Sequence, residues 1–258
     1  MTARRSTSGE HPPWSAFGKL VLTEAKLTWR TPLGPILGLG LPVLLLVVFA
    51  NIPAFKEPKP DLGGHTLLSL YAPILSAFSL AWLGLASLSI PLATYREQGV
   101  LRRMSTTPAP PSWVLGAQLL VNLAVATVAL LIINLGFMAF GVGGPEEVGG
   151  FVLSIVLTAA ALFAIGLWIA AIARTGQTAN GIAQILFYPM MFFAGLYFPR
   201  EIMPGILRHV SDWTPLGAAV QALQSAAGGS FPPVQSLLVM LGYAVVFGVA
   251  AVKQFRWE

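Results

Sequence analysis

Six stretches of this chain run for roughly twenty residues or more, the length a bilayer core requires, without one Asp, Glu, Lys, Arg or His. They are residues 33–52, 67–94, 113–141, 150–173, 177–198 and 234–252. The chain is 55% hydrophobic and 10% charged, against about 25% charged in ordinary soluble domains. Too few polar groups remain to cover a water-facing surface, so lipid is the expected main solvent. Cysteine is absent, which excludes disulfides and Cys-based metal sites. The formal charge of +5 does not point to nucleic acid, because the cations sit in loops and termini that flank the apolar runs. The reading is an all-α polytopic membrane protein, a single unit over 1–258 with six transmembrane helices.

Cation placement predicts orientation. Arg4, Arg5, Lys19, Lys26, Arg30, Arg96, Arg102, Arg103, Arg174, Lys253 and Arg256 fall on one side of the six crossings, and Lys56, Lys59, Arg200 and Arg208 on the other. Positive charge accumulates on the cytoplasmic side, so both termini are expected in the cytoplasm of a plasma-membrane protein. No short apolar core with a small-residue cleavage site follows polar residues 1–13, so no cleavable signal peptide is expected.

Residues 14–30 have amphipathic spacing. Lys19, Thr23, Lys26 and Arg30 share a face, while Trp14, Phe17, Leu20, Val21 and Leu27 fill much of the remainder. A helix lying in the membrane interface fits this pattern, as does a helix docked on a protein partner. Glu24 falls toward the apolar side, where a buried partner is plausible.

In the loop over 95–104, Glu97, Val100, Leu101 and Met104 recur at helical spacing. A short helix of this kind inserts into a groove on a soluble partner; alternatively, Arg96, Arg102 and Arg103 only enforce topology. In the fifth run, Gln177, Asn180, Gln184 and Tyr188 share one face, with Gln118, Asn122 and Asn134 in the third. These side chains make interhelical hydrogen bonds, or they line a translocation path or subunit interface. From Phe198 to Gly229 the chain is apolar yet broken by Pro199, Pro204 and Pro215. It is too broken for a full span and too apolar for a free loop, so two short helices entering and leaving the outer leaflet over 199–229 are expected.

These residues resemble the permease subunits of ABC-2-type exporters, and are similar to antibiotic-resistance permeases of the daunorubicin type. The resemblance rests on Arg96-Glu97-Gln98-Gly99-Val100-Leu101-Arg102-Arg103-Met104 with Thr107-Pro108, on Gly195, Phe198-Pro199, Met203-Pro204 and Pro215-Leu216, and on Arg30-Thr31-Pro32 after the amphipathic helix. Thr31 stands where the family commonly has Asp, and Val100 where it commonly has Thr. The resemblance implies an elbow helix whose Lys19, Glu24, Lys26 and Arg30 face membrane or ATPase. It also implies a coupling helix carrying Arg96, Glu97, Gly99, Val100, Leu101 and Met104. Asn122 and the Gln177–Tyr188 stripe would line the path or the subunit interface, and Phe198, Pro199, Pro204 and Pro215 would form an extracellular gate. The implied partners are a cytosolic ABC ATPase, a second permease copy or a homologous permease, and membrane lipids.

No Gly-x-x-x-x-Gly-Lys-Ser/Thr loop is present, and Gly18-Lys19 lacks both the upstream glycine and the hydroxyl. ATP and Mg are therefore expected on the partner, with no catalytic residue, cofactor or metal on this chain. An ion-coupled secondary transporter usually needs an ionisable residue within the membrane, and the six runs hold none. His11, His65 and His209 show no metal-ligand spacing. The expected cargo is a hydrophobic small molecule, such as a drug or antibiotic, or a lipid, and the Met- and aromatic-rich 187–193 stretch fits the small molecule; export of a lipid-linked glycan is the alternative, and a purely structural anchor subunit remains open.

Overall fold

A computed structural model describes residues 13–31, 33–60, 64–104, 110, 112–200 and 203–254, and every extended element among them is helical. In chain order these are α1 (Pro13–Arg30), α2 (residues 33–50), α3 (Leu67–Glu97), α4 (Val100–Met104), α5 (Ser112–Ala139), α6 (Val148–Ile172), α7 (Gly176–Phe193), α8 (Gly205–Trp213), α9 (Pro215–Ala227) and α10 (Val234–Gln254). The long helices run antiparallel in sequence. One end of the bundle therefore gathers α1, α4 and the α6–α7 turn, and the other gathers the α2–α3 and α5–α6 loops with α8 and α9.

Among the described residues, four helices, α3, α5, α6 and α10, are long and apolar enough to cross a bilayer. The chain is thus a multi-pass membrane protein. The first and fifth apolar runs make shorter helices than expected. α2 spans 33–50, and α7 stops at Phe193, five residues before the expected end. Gly195 terminates α7 at φ 91°, with the Leu196 N–H returning to the Met191 carbonyl at 3.2 Å. Only glycine adopts that left-handed stop without strain.

α3 occupies the centre of the bundle, and almost all of its side chains from Leu68 to Ala86 are buried. A π-helical turn at Leu83–Ser87 lies just ahead of Pro91, which cannot donate a backbone hydrogen bond. α2 has its own π-turn at Ile36–Gly40. Where the two helices meet, α3 side chains satisfy α2 carbonyls: Trp82 Nε1–H donates to Gly34 at 3.1 Å, and Ser79 Oγ–H donates to Gly38. In hydrocarbon, irregular backbone survives only with such partners.

α3 also crosses α6 backbone to backbone. A Cβ built on Gly166 would lie 1.9 Å from the Gly84 carbonyl oxygen, and one on Gly84 would lie 2.9 Å from the Leu162 carbonyl carbon. Close approach through small residues is how helices gain contact where lipid removes any hydrophobic drive. α6, α9 and α10 pack in the same way through Ala161, Ala218, Ala219 and Ala222, with Met240 filling the gap. The outward faces of α5, α6 and α10 are largely apolar, with Leu131, Leu135, Val152, Val156, Val246 and Val249 exposed, and the exposed Thr127 hydroxyl donates back to the Leu123 carbonyl of its own helix at 2.9 Å.

The Gly84–Gly166 crossing predicts that Gly166→Ala lowers thermal stability in detergent by about 1–3 kcal/mol, the usual cost of overpacking. Gly181→Ala, on an open face of α7, is expected to be neutral or stabilising by about 0.5–1 kcal/mol. Fluorescence-detected size-exclusion melting of both variants provides the measurement.

Candidate functional site

Three consecutive residues at the end of α3 tie together four helices. The Tyr95 hydroxyl donates to the Glu24 carboxylate of α1 at 2.9 Å. Arg96 Nη1 donates to the Ala171 carbonyl, in the last turn of α6, at 2.8 Å. The Glu97 carboxylate accepts the Gly176 N–H, the first of α7, at 3.0 Å. Cation and anion thus sit at the helix ends whose dipoles favour them: Arg at a C-terminus and Glu at an N-terminus. Gly176 is tight against this junction, since a Cβ there would lie 2.2 Å from Thr94 Oγ1.

The expected single helix over 95–104 is in fact two pieces. Tyr95–Glu97 belongs to α3, and the chain breaks at Gln98–Gly99, with Gly99 at φ 67°, before the five-residue α4. The Gln98 N–H closes on Thr94 at 2.9 Å and the Gly99 N–H on Arg96 at 3.0 Å, a glycine-terminated helix end. Leu101 is 1% exposed and lies in the chain's own core, with Met104 packed against it. The apolar stripe therefore holds the segment to its own bundle. The surface turned outward carries Glu97, Gln98, Arg102 and Arg103, and the Arg103 guanidinium donates back to the Gln98 carbonyl at 2.9 Å.

Within α1, Lys19, Lys26 and Arg30 share an exposed face, but Glu24 does not belong to it. It points the other way, is 4% exposed, and accepts from Gln118 Nε2–H at 2.5 Å as well as from Tyr95. Phe17 meets Trp113 edge-on at 5.7 Å beside it. Burial pushes the Glu24 carboxyl up from its ordinary value, and the Tyr95 and Gln118 hydrogen bonds partly offset that rise.

The amides divide into two groups. Asn122 is 1% exposed and donates to the Gln118 carbonyl at 2.9 Å, so it continues the Glu24 network inside the chain and lines no outward path. On α7, by contrast, Gln177, Asn180 and Tyr188 are exposed and Gln184 is half-buried with an unpartnered Oε1. That stripe is open to whatever lies beside the protomer.

At the opposite end, two short helices do form, as the prolines predict. Pro204 precedes α8 and Pro215 is the buried first residue of α9, while Pro199 is buried and Phe198 exposed. What holds them is Arg200, 5% exposed. Its guanidinium donates to Ser211 Oγ at 2.9 Å and to the Gly217 carbonyl at 2.7 Å, and pairs with the Asp212 carboxylate. Ser211 Oγ–H in turn donates to Phe193, the last residue of α7, at 2.6 Å. A buried pair of this kind is held by its full set of partners. Sequence spacing alone does not reveal it, because Arg200 and Asp212 lie twelve residues apart across Pro204.

The bundle thus has two ends built on polar junctions, joined by apolar helices. The model of the family described as ABC-2 type transporter matches residues 15–227. The chain belongs to the ABC-2 type transporter family. That makes it the membrane subunit of an ABC transporter. Among its relatives is "Putative transport permease YvfS" of Bacillus subtilis (strain 168), 23% identical over 232 residues, covering 89% of this chain and 92% of the relative. Another is the daunorubicin resistance ABC transporter permease protein DrrB1 of Streptomyces coeruleorubidus, 24% identical over 226 residues, covering 84% and 77%. Of the residues that suggest this family in the sequence, Pro32, Thr107 and Pro108 lie outside the described residues. Tyr95, which joins the motif to α1, carries no sequence signal beyond its place at the end of an apolar run.

The raised carboxyl of Glu24 sets a pH dependence for this permease. Its protonated form favours the folded state, so the stabilisation is complete below the unfolded value of about 4.5 and is lost as pH rises through the folded value. Glu24→Gln is expected to flatten the decline of melting temperature between pH 4.5 and neutrality. Glu24→Ala leaves the Gln118 amide without its acceptor and is expected to cost about 1–3 kcal/mol. Melting profiles across pH for the three proteins check both outcomes.

Proposed function

We propose that this chain is the permease subunit of an ATP-driven exporter that moves a hydrophobic small molecule, such as a drug or antibiotic, out of the cell. A separate cytosolic ABC ATPase hydrolyses ATP with Mg, and this chain carries no catalytic residue. The observation that carries the reading is the Tyr95–Glu97 junction. One rigid turn, followed at once by the outward-facing Gln98, Arg102 and Arg103, is bonded to α1, α6 and α7. A displacement of that surface by an ATPase reaches four helices through single hydrogen bonds, without crossing compressible packing.

The proposed topology has six crossings, with α2 and α7 as the short ones and both termini in the cytoplasm. α1 then lies in the inner interface as the elbow helix, offering Lys19, Lys26 and Arg30 to lipid phosphates or to the ATPase. α8 and α9 form the outer re-entrant gate, tied to α7 by Arg200 and Ser211. The stripe of exposed Gln177, Asn180 and Tyr188 with half-buried Gln184 lines the path against a second copy or a homologous permease, because amides in hydrocarbon need partners. The drug-resistance name of one relative and the Met- and aromatic-rich end of α7 support a hydrophobic cargo over a glycan.

Coupling through the junction predicts that Arg96→Ala with Glu97→Ala cuts cargo-stimulated ATP hydrolysis of the reconstituted complex about ten-fold, equivalent to about 1.4 kcal/mol of coupling. Unchanged stimulation with both subunits still assembled would remove the junction from the mechanism. Orientation has its own check, free of background because the chain has no cysteine. In intact cells, a membrane-impermeant maleimide is expected to label His209→Cys and to spare Gln98→Cys.

A further inference from the structure

Near the α8–α9 end lies a cavity of about 590 Å³ that none of the roles above uses. It sits between the first turns of α3, the last turns of α5, the loop over 141–147 and the end of α9. Its size falls in the range of small-molecule sites, about 300–1,000 Å³. Phe137, Phe151 and Met138 supply an apolar wall, and Gln224, Asn134 and Glu146 supply the polar groups.

The walls are fastened before any ligand arrives. The Glu147 N–H bonds the Ala226 carbonyl at 3.0 Å, joining the 141–147 loop to the end of α9, and the Val142 N–H bonds Phe137 at 3.0 Å. The Glu147 side chain caps α6 through the Gly150 N–H. Two polar groups point to the chemistry of the occupant. Gln224 Nε2 is shielded and has no hydrogen-bond partner, a donor whose burial costs free energy until an acceptor meets it. The Asn134 amide donor is already committed to Leu130 at 2.8 Å and Ser76 at 3.3 Å. Glu146 is the carboxylate of the lining, held against Gly229, where even a Cβ would lie 2.4 Å from its Oε2. No Lys or Arg lines the cavity among the described residues.

We propose that this cavity is a binding site for an amphipathic organic cation. The flat apolar body packs on Phe137, Phe151 and Met138, the positive group faces Glu146, and a hydrogen-bond acceptor meets the Gln224 amide. Anionic amphiphiles are disfavoured, since the lining offers them the Glu146 carboxylate and, among the described residues, no Lys or Arg, His65 being its one imidazole. The site is separate from the α7 stripe, and binding there does not depend on the ATPase or on the transport reading. Only its outward orientation rests on the proposed topology.

The test uses the purified full chain in nanodiscs, without ATPase, and rhodamine 6G as an aromatic cationic probe, with empty nanodiscs subtracting membrane partition. Saturable binding by fluorescence anisotropy is expected, weakened about ten-fold or more by Glu146→Gln and by Ser225→Trp, which fills the cavity. Gln224→Leu is expected to weaken it less, and anionic fluorescein should show no saturable binding. Melting profiles establish that each variant is folded, and Met138→Trp replaces any that is not. Equal rhodamine affinity in the wild type and the filled variants overturns the proposal. So does fluorescein binding as tightly, or loss of binding in Gln184→Leu with the cavity variants unaffected, which would move the site to α7. Each of these outcomes leaves coupling through Arg96 and Glu97 to be judged by its own assay.

Discussion

The backbone contact between Gly84 and Gly166 is the constraint on which the bundle depends. With no room there for even one methyl group, α3 and α6 are fixed at their closest approach, and α3 becomes the enclosed centre against which α2, α5 and α7 must pack. In water the burial of apolar surface alone would drive such an assembly. In lipid the gain comes from contact between backbones and from hydrogen bonds that replace those the irregular turns give up. The π-turns of α2 and α3 lie beside this contact, and the α2 carbonyls of Gly34 and Gly38 are met by Trp82 and Ser79 of α3.

With α3 fixed at its centre, its end is where side-chain hydrogen bonds grip three neighbouring helices. Tyr95, Arg96 and Glu97 follow one another on a single turn, so they point in three directions and reach three different helices. Their partners are a carboxylate, a helix C-terminus and a helix N-terminus, each matched in charge or hydrogen bonding. At the far end Arg200 does a similar job for the short helices: its buried guanidinium gathers groups from α8 and α9, and Ser211, which it holds, donates on to Phe193 of α7. Apolar helices thus connect two polar junctions, and neither junction lies in the middle of the bundle where burying charge would cost most.

Much of this was legible in the residues. The apolar runs place the helices, the prolines at 204 and 215 place the two short ones, and the absence of charge inside the runs defines a membrane protein. The inward turn of Glu24 follows from its position on the α1 wheel. The 95–104 segment misleads because its stripe of Val100, Leu101 and Met104 has the same spacing whether it faces a partner or its own core. Gly99 decides the matter, since a positive φ there ends α3 and swings Leu101 inward. Asn122 misleads for a related reason: an amide in an apolar run is legible as polar, but the neighbour that satisfies it is not.

By itself, then, the sequence determined the all-helical membrane class and the family motif, because length, hydropathy and proline act locally and leave marks along the chain; of the six crossings it suggests, four among the described residues are helices long and apolar enough to span. Tertiary structure alone decided which polar residues are inward and which outward. It drew Glu24, Tyr95, Gln118 and Asn122 into one network, and Arg200 and Asp212 into another. Apart from Gln118 and Asn122, four residues apart on α5, those pairings span from 12 to 94 residues, and in a low-dielectric interior each buried polar group takes whichever partner the packing brings within about 3 Å. No periodicity in the chain encodes that choice.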